Sequence, residues 1–290
     1  MKPAAFDYQA PSDLGEVLEL LAEGGDDVKL LAGGQSLVPA MNFRLARPSL
    51  LIDLNGVPDL SYLHEESGEL VIGAMTRQRQ VERSPLVEKR LPLVHETMPW
   101  IAHQQIRNRG TFGGSLAHAD PAAELPSVVL ALEGRFHLRS RNGDRWVAAD
   151  DFFQGLFETA RQPDEILVEV AIPFQKPGSG WAFEEMARRA GDFAMVGVGV
   201  SFELAAGGAI EKARIGLVSV ADKPILAPRA AAMLIGEKPS DALFRAAAAT
   251  CAQEEIDPTD DLHATIDYRR HLTAVLLRRA LERAAARATA

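Results

Sequence analysis

The sequence predicts an α+β protein built from two successive units, because three patterns of apolar residues follow one another along the chain. Residues 14–22 carry apolar side chains at helical spacing, and the short apolar runs 28–32 and 50–54 have the length of strands. Residues 166–172 alternate apolar and charged side chains, which is the period of a half-buried strand. Three more strand-like runs follow, at 182–187, 196–204 and 213–220. The first 55 residues therefore form a β-α-β-loop-β unit, and strands dominate the start of the second half.

Proline and glycine punctuate the chain between these two regions. Pro173, Pro177 and the Gly-Ser-Gly sequence at 178–180 favour a boundary between domains. We therefore predict domains at 1–176 and 177–290, with the first divided into subdomains at about 1–55 and 56–176. Gly207 and Gly208 predict a hairpin turn in the second domain. Alanine-rich helices are expected to complete this domain, at 228–234, 240–251 and 268–287.

Composition excludes several classes of function. The net charge of −9 disfavours binding to nucleic acid or to anionic membranes. No apolar run approaches the ~20 residues of a membrane span, and the N-terminus lacks a secretory apolar segment, so a cytoplasmic protein is expected. The single cysteine, Cys251, cannot form an internal disulfide and is too few for an iron–sulfur cluster. His103 and His118 are expected to be structural residues and not metal ligands.

The first of two glycine-rich turns lies between a strand and a helix. It consists of Leu30, Leu31, Ala32, Gly33, Gly34, Gln35, Ser36 and Leu37. Glycine lets the backbone approach a ligand closely, and the N–H groups at a following helix start favour a phosphate. Ser36 adds a hydroxyl donor. A tight strand-to-helix turn without a ligand is the alternative explanation of this pattern.

The second glycine-rich turn repeats these features after two basic residues, Arg107 and Arg109. It consists of Thr111, Phe112, Gly113, Gly114 and Ser115. Neither turn contains the P-loop or the GxGxxG pattern. The glycines at 197 and 199 lie in a strand and are expected to allow close packing. Asp120 is expected to cap a helix with Pro121 at its first position, and carboxylates here can accept hydrogen bonds from ribose hydroxyls.

Four segments together resemble the medium, flavoprotein subunits of the carbon monoxide dehydrogenase and xanthine dehydrogenase family. They are AGGQSLVPAMNFRLARP (32–48), IGAMT (72–76), IRNRGTFGGSLAHADPAAELP (106–126) and WAFEEMARRAGDFA (181–194). The resemblance covers essentially the whole chain. It implies a vanillyl-alcohol-oxidase (PCMH) type FAD-binding fold in two subdomains, followed by a C-terminal α+β domain with a three-stranded antiparallel sheet and helices.

The resemblance also implies roles for individual residues. The 30–37 and 111–115 turns match two loops that bind the pyrophosphate of FAD. Glu124 matches an acidic position that contacts the cofactor, and Leu167 matches a residue near the adenine or its ribose. Phe193 matches an aromatic residue that lies over the flavin ring. Glu184 stands where some relatives have a flavin-site lysine, so a contact at this position is left open.

In this family the flavoprotein subunit transfers electrons and does not oxidise the substrate. The resemblance implies a small subunit with two 2Fe–2S clusters, a large molybdopterin subunit and an external electron acceptor as partners, and no catalytic acid or base in this chain. Two alternatives remain open from the sequence. They are a free-standing FAD-dependent oxidoreductase with its own substrate, and a nucleotide-binding module without redox activity.

Overall fold

The computed structural model describes residues 1–25 and 27–288. A parallel three-stranded sheet in the order β1-β3-β2 forms the N-terminal unit. Its elements are β1 (Asp7–Gln9), α1 (Leu14–Gly24), β2 (Val28–Leu31), α2 (Leu37–Asn42) and β3 (Leu50–Asp53). Helix α1 begins after Asp13, whose carboxylate accepts a hydrogen bond from Glu16 N at 3.0 Å, and ends before Gly25, whose φ is +65°. The β-α-β-loop-β prediction for this unit is confirmed.

The following region surrounds an antiparallel five-stranded sheet with short helices. Its elements are β4 (Leu63–Glu66), β5 (Glu69–Gly73), α3 (Gln78–Arg83), α4 (Pro85–Arg90), α5 (Pro92–Thr97), α6 (Gln104–Arg109), α7 (Phe112–His118), α8 (Glu124–Ala131), β6 (Arg135–Ser140), β7 (Gly143–Ala148), α9 (Ala149–Phe152), β8 (Phe153–Gly155), β9 (Glu158–Thr159) and β10 (Ile166–Pro173). The strand order is β4-β5-β10-β6-β7, and β8 and β9 form a separate hairpin. Strand β10, predicted from its alternation, is the centre of the sheet.

The start of α8 differs from the expectation. Asp120 does not cap it, because the helix begins only at Glu124 and Ala123 is the capping residue. Asp120 instead accepts a hydrogen bond from Ala122 N at 2.9 Å and so stabilises the turn before the helix. Asx turns of this kind compete with helix capping, and sequence alone does not separate them.

The C-terminal region contains an antiparallel sheet in the order β11-β12-β13-β14. Its elements are β11 (Gly180–Ala187), β12 (Ala194–Leu204), β13 (Ile210–Val218), β14 (Ile225–Leu226), α10 (Pro228–Leu234), α11 (Asp241–Thr250) and α12 (Ile266–Ala288). The three predicted strands are confirmed as β11, β12 and β13. The sheet has a fourth strand, β14, which has two residues and is too short to show a period in the sequence. The hairpin at Gly207 and Gly208 is confirmed, and Gly208 has a φ of +80°.

Helices pack on both faces of the C-terminal sheet. Side chains alternate along β12, so Val198 and Val200 share a core with the long helix α12. Gly197 and Gly199 face the other way, and a Cβ atom at Gly199 would lie 3.4 Å from a methyl group of Val128 in α8. The close-packing prediction for these glycines is confirmed. Helix α8 therefore belongs to the chain before residue 176 but packs on the sheet that follows it.

Over the described residues, no helix combines the length and the apolar character needed to cross a bilayer.

Candidate functional site

The two glycine-rich turns are in contact. A Cβ atom at Gly33 would lie 2.5 Å from Arg109 O and 2.7 Å from the Cα of Gly110. A Cβ atom at Gly114 would lie 3.3 Å from the Cβ of Ala32. Real Cβ atoms do not approach backbone atoms to 2.5 Å, so Gly33 is required for the turns to meet. Segments about 80 residues apart in sequence thus form one backbone surface.

Within the first turn, Gly34 supplies the reversal of the chain with a φ of +74°. The Gln35 side chain donates a hydrogen bond to Gly33 O at 2.9 Å, which fixes the turn from inside. Ser36 precedes α2, and its exposed hydroxyl makes no capping hydrogen bond. The side chain of Ser36 is therefore available to a ligand, whereas Gln35 stabilises the loop.

The second turn is fixed at both ends. Gly113 N donates to Ala74 O at 2.9 Å, and a Cβ atom on Gly113 would lie 2.6 Å from the Cα of Ala74. Thr111 caps α7 by accepting a hydrogen bond from Gly114 N at 3.1 Å. Phe112 is fully buried in the core, so only its backbone can meet a ligand. Ser115 is half-buried within α7.

Sequence reasoning missed two residues that connect the turns. Asn55 Nδ2 donates to Ala32 O at 3.1 Å. Arg77 Nη2 donates to Asn55 Oδ1 at 2.6 Å, and Arg77 Nη1 donates to Arg109 O at 2.6 Å. The only indication of Arg77 in the sequence was its position directly after the IGAMT segment. Through these bonds Arg77 connects the first turn to the residues that precede the second.

The two basic residues before the second turn have different surroundings. Arg107 is buried, and it donates to Glu82 Oε2 at 2.9 Å and to Ile101 O at 2.8 Å. These partners occupy its guanidinium, so Arg107 is a structural residue and is not available to a ligand. Arg109 is exposed and lies near Asp53.

Asp53 remains ionised beside the first turn. Burial would raise the pKa of its carboxyl, but hydrogen bonds from Tyr8 and Asn55 outweigh this effect, and Arg109 adds to them. The pKa of Asp53 therefore lies below its ordinary value. Tyr8 Oη donates to Asp53 Oδ2 at 2.6 Å. The negative charge of Asp53 therefore partly neutralises the positive charge of Arg109 beside the first turn.

Glu124 is a buried carboxyl at the first residue of α8, with a relative exposure of 7%. Burial raises its pKa to about 7. The side chain of Leu167 packs in the core of the five-stranded sheet. A contact between Leu167 and a cofactor can therefore come only from its backbone.

Phe193 is one of the residues that line a cleft of about 250 Å³ between the turn before α8, the start of β12 and the beginning of α12. Its ring is 70% exposed, which is unusual for a phenylalanine and suits stacking against a planar ligand. The other residues that line this cleft are Asp120, Ala122, Ala194, Met195, Ser219, Asp261, His263 and Arg269. Glu184 lies elsewhere, in an ion pair with Arg283 of α12.

Both histidines near the second turn contact other parts of the fold. The His118 ring packs on Phe157 with their centroids 5.0 Å apart, and burial lowers its pKa. A Cβ atom at Gly191 would lie 2.6 Å from His103 Nδ1, so His103 supports the loop that carries Phe193. Among residues 1–25 and 27–288, no three His, Cys, Asp or Glu side chains form a group able to hold a metal ion.

The two glycine-rich turns meet in one place, and an exposed aromatic ring lines a separate cleft. Comparison with known proteins shows the family to which such a chain belongs. A family described as "FAD binding domain in molybdopterin dehydrogenase" matches residues 4–175. One described as "CO dehydrogenase flavoprotein C-terminal domain" matches residues 181–284.

Individual relatives match over nearly the whole chain. The 6-hydroxypseudooxynicotine dehydrogenase complex subunit alpha of Paenarthrobacter nicotinovorans is 42% identical, over 99% of this chain and 97% of its own. The caffeine dehydrogenase subunit beta of Pseudomonas sp. (strain CBB1) is 41% identical, over 99% and 97%. A solved structure of carbon monoxide dehydrogenase from Hydrogenophaga pseudoflava superposes with a TM-score of 0.96 at 41% identity, covering 99% of both chains.

The chain therefore belongs to the family of FAD-binding flavoprotein subunits of molybdenum hydroxylases, which includes the carbon monoxide dehydrogenase medium chain. It is an oxidoreductase subunit with FAD as its cofactor, and its fold is the predicted FAD-binding domain followed by a C-terminal α+β domain.

Proposed function

We propose that this chain carries electrons through FAD, from the 2Fe–2S clusters of a small subunit to an external acceptor, in a complex whose large molybdopterin subunit oxidises the substrate. The observation that carries the proposal is the contact between the turns at 30–37 and 111–115. It creates a single strip of backbone with little side-chain bulk, which fits the pyrophosphate of FAD.

The residues of the two turns fit that group by their donors. The backbone N–H groups of Gly33 and Gly34 and the hydroxyls of Ser36 and Ser115 are hydrogen-bond donors suited to phosphate oxygens. The N–H groups of Gly113 and Gly114 instead hold the second turn, by donating to Ala74 O and Thr111 Oγ1. The adjoining helices α2 and α7 have only six and seven residues. Because their dipoles are short, the local donors are expected to contribute most of the phosphate binding.

Three residues outside the turns complete the proposed site. Glu124 accepts hydrogen bonds from hydroxyl groups of the cofactor, and the backbone at Leu167 lies near the adenine end. Phe193 stacks on the flavin ring from the C-terminal domain. Glu184 is left out of the site, since its carboxylate already pairs with Arg283.

When bound, FAD supplies an electron carrier that accepts electrons singly or in pairs. The chain binds and orients it, and none of the residues assigned here moves a proton of the substrate. The named substrates of the relatives differ, since one acts on 6-hydroxypseudooxynicotine and another on caffeine. Such variety on one scaffold favours a substrate site in the large subunit.

The two domains have separate tasks in this proposal, with a boundary at residues 176 and 177. Residues 1–176 bind the pyrophosphate and adenine portions, and residues 177–290 cover the flavin ring through Phe193. The complex is expected to act in the cytoplasm, without a nucleic-acid partner.

The test is purification of the chain followed by absorbance spectroscopy and acid precipitation. We expect flavin bands at about one FAD per chain, and all of the FAD in the supernatant, because the flavin is held noncovalently. A protein that binds no flavin under any condition would contradict the proposal. Flavin that stays with the precipitate would contradict noncovalent binding.

A further inference from the structure

One arginine is buried beside the cleft that Phe193 lines. Arg269 is the fourth residue of α12, and it has a relative exposure of 6%. It lies in the first turn of this helix, where the helix dipole disfavours a cation. Burial of a cation also costs free energy unless acceptors compensate it. The position of Arg269 therefore requires a reason beyond the formation of α12.

The guanidinium of Arg269 is held by three acceptors from separate segments. Its Nη1 donates to Met195 O at the start of β12, and to Ser219 O, just after β13, at 3.0 Å. Its Nη2 donates to Asp261 Oδ2, in the loop before α12, at 2.5 Å. A planar guanidinium can bind several acceptors at once in a fixed geometry. Arg269 thus connects two strands of the C-terminal sheet to the beginning of α12.

Asp261 supplies the compensating charge. Burial opposes its ionisation, but hydrogen bonds from the N–H groups of Ala264 and His263 and the charge of Arg269 outweigh this effect. The pKa of Asp261 therefore lies below its ordinary value. Both backbone N–H groups donate to Asp261 Oδ1 at 2.8 Å. Because Asp261 is fixed by its own loop, the ion pair holds Arg269 in one place.

Ser219 extends this connection to the first domain. Its N–H donates to Pro121 O, in the turn before α8, at 2.9 Å. Ser219 has a φ of +62°, in the left-handed region that residues with a side chain rarely adopt. Such a conformation persists where the surrounding structure fixes it, and here its N–H and its carbonyl are both hydrogen-bonded. Through Ser219, Arg269 is linked to the turn that leads into Glu124.

The other acceptor of Arg269 lies close to Phe193 in the chain. Met195 follows Phe193 by two residues, and both line the same cleft. The ring of Phe193 is 70% exposed, so its own packing does little to fix it. The hydrogen bond at Met195 O is therefore an anchor for the backbone that carries this ring.

We propose that Arg269 is the positioning residue of Phe193, and that by binding Met195 O and Ser219 O together it fixes the Phe193 ring relative to the turn that leads into Glu124. The inference rests on the proposed FAD site, in which Phe193 and Glu124 contact the cofactor from the two domains. A purely structural arginine would affect only the stability of the fold. A positioning residue also changes the stacking of Phe193 on the flavin in the folded protein.

The test measures the fluorescence of bound flavin in the FAD-loaded full chain, since a stacked aromatic ring quenches flavin fluorescence. Arg269→Met should retain FAD, because the pyrophosphate turns are untouched. Its fluorescence per bound flavin should rise at least about twofold, as the ring loses its stacked position. Phe193→Ala should show the same rise. Arg269→Lys should also show a rise, because an ammonium group cannot bind the three acceptors as a guanidinium does.

Arg270→Met is the matched control. Arg270 is the next residue of α12, and its Nη1 donates to Ala252 O at 3.4 Å and to Gln253 O at 3.0 Å. The substitution removes hydrogen bonds of the same kind that do not involve the cleft, so the flavin fluorescence should match wild type. Far-ultraviolet circular dichroism establishes first that each variant folds. If Arg269→Met does not fold, Arg269→Lys decides.

A double variant, Arg269→Met with Phe193→Ala, separates the claims. If Arg269 acts through Phe193, the double variant should be no more fluorescent than Phe193→Ala alone. An additive rise, or wild-type fluorescence in the folded Arg269 variants, would overturn the positioning role and leave the FAD site standing. If wild type binds no flavin, or if Phe193→Ala does not change its fluorescence, the proposed site itself fails and the positioning role fails with it.

Discussion

Ala32 and Gly114 lie against one another across the junction of the two glycine-rich turns, and a Cβ atom on Gly114 would come within 3.3 Å of the Cβ of Ala32. Each turn alone has the form of an ordinary link between a strand or loop and a short helix. Their contact brings the N–H groups and the Ser36 hydroxyl of the first turn next to the second turn, which carries the Ser115 hydroxyl. The predictions below therefore begin with the atoms that keep this contact.

Gly33→Ala should greatly reduce FAD binding. The new methyl group would lie 2.5 Å from Arg109 O and 2.7 Å from the Cα of Gly110, so the turns would have to separate. We expect at least about a hundredfold loss of affinity, which corresponds to about 3 kcal/mol. Gly207→Ala is the matched control, because a Cβ atom there meets nothing within 4 Å. Normal affinity in Gly33→Ala would place the pyrophosphate elsewhere.

Arg77→Ala should weaken FAD binding about tenfold without unfolding the protein. Arg77 bridges Asn55 and Arg109 O, and a hydrogen bond from a charged donor contributes about 1.5–3 kcal/mol before exposure reduces it. Arg77→Lys should not restore affinity. A planar guanidinium donates to Asn55 Oδ1 and Arg109 O at the same time, and an ammonium group cannot reproduce this geometry.

The control for this prediction is Arg79, which lies in α3, the helix that Arg77 directly precedes. Arg79→Ala removes an ion pair with Glu82 and no contact to either turn. Affinity should be measured by equilibrium dialysis. Equal losses in the Arg77 and Arg79 variants would mean that the bridge between the turns has no specific role.

The free energy of unfolding should decrease as the pH rises, because of the raised pKa of Glu185. Its folded pKa of about 9 exceeds the ordinary value of 4.5, so the folded state binds the proton more tightly than the unfolded state does. The stabilisation is complete below about pH 4.5 and is lost as the pH rises to about 9. In urea unfolding at several pH values, Glu185→Gln should flatten the dependence of stability on pH. An identical dependence in wild type and variant would contradict a raised pKa for Glu185 in the folded protein.

Cys251 should not react with thiol reagents in the folded protein. Its side chain is fully buried in the core of the C-terminal domain, and burial raises the pKa of the thiol. A buried neutral thiol is a poor nucleophile. Labelling with a maleimide should require denaturant, and rapid labelling of native protein would show that this core opens.

Sequence was sufficient for the parts of the fold that depend on local pattern. The diglycines predicted both turns, and the alternation of residues 166–172 predicted the central strand β10. Sequence could not show that the turns touch, since the contact of Ala32 with Gly114 is set by the packing of two sheets. Asn55, Arg77 and the buried setting of Arg107 were missed for the same reason, because a polar residue gives no local sign of its tertiary partner.

The neighbourhood of α8 was the least predictable. Asp120 and Pro121 have the composition of a helix start, but the helix begins at Glu124, where it can pack on the C-terminal sheet. Glu185 lies between Glu184 and Met186 in β11, and this local sequence gave no signal that its side chain is buried. Only the folded structure shows that its carboxyl is buried and that burial, and after it the charge of Glu124, raises its pKa.

The central claim is that the flavin of this chain is reduced by a partner subunit and not by a substrate of its own. The direct measurement is anaerobic reconstitution with the small and large subunits, followed by flavin absorbance after substrate addition. The account predicts bleaching only when both partners are present, and none with the chain alone or with either partner alone. Bleaching of the isolated chain by a candidate substrate would contradict it and would identify a free-standing FAD-dependent oxidoreductase.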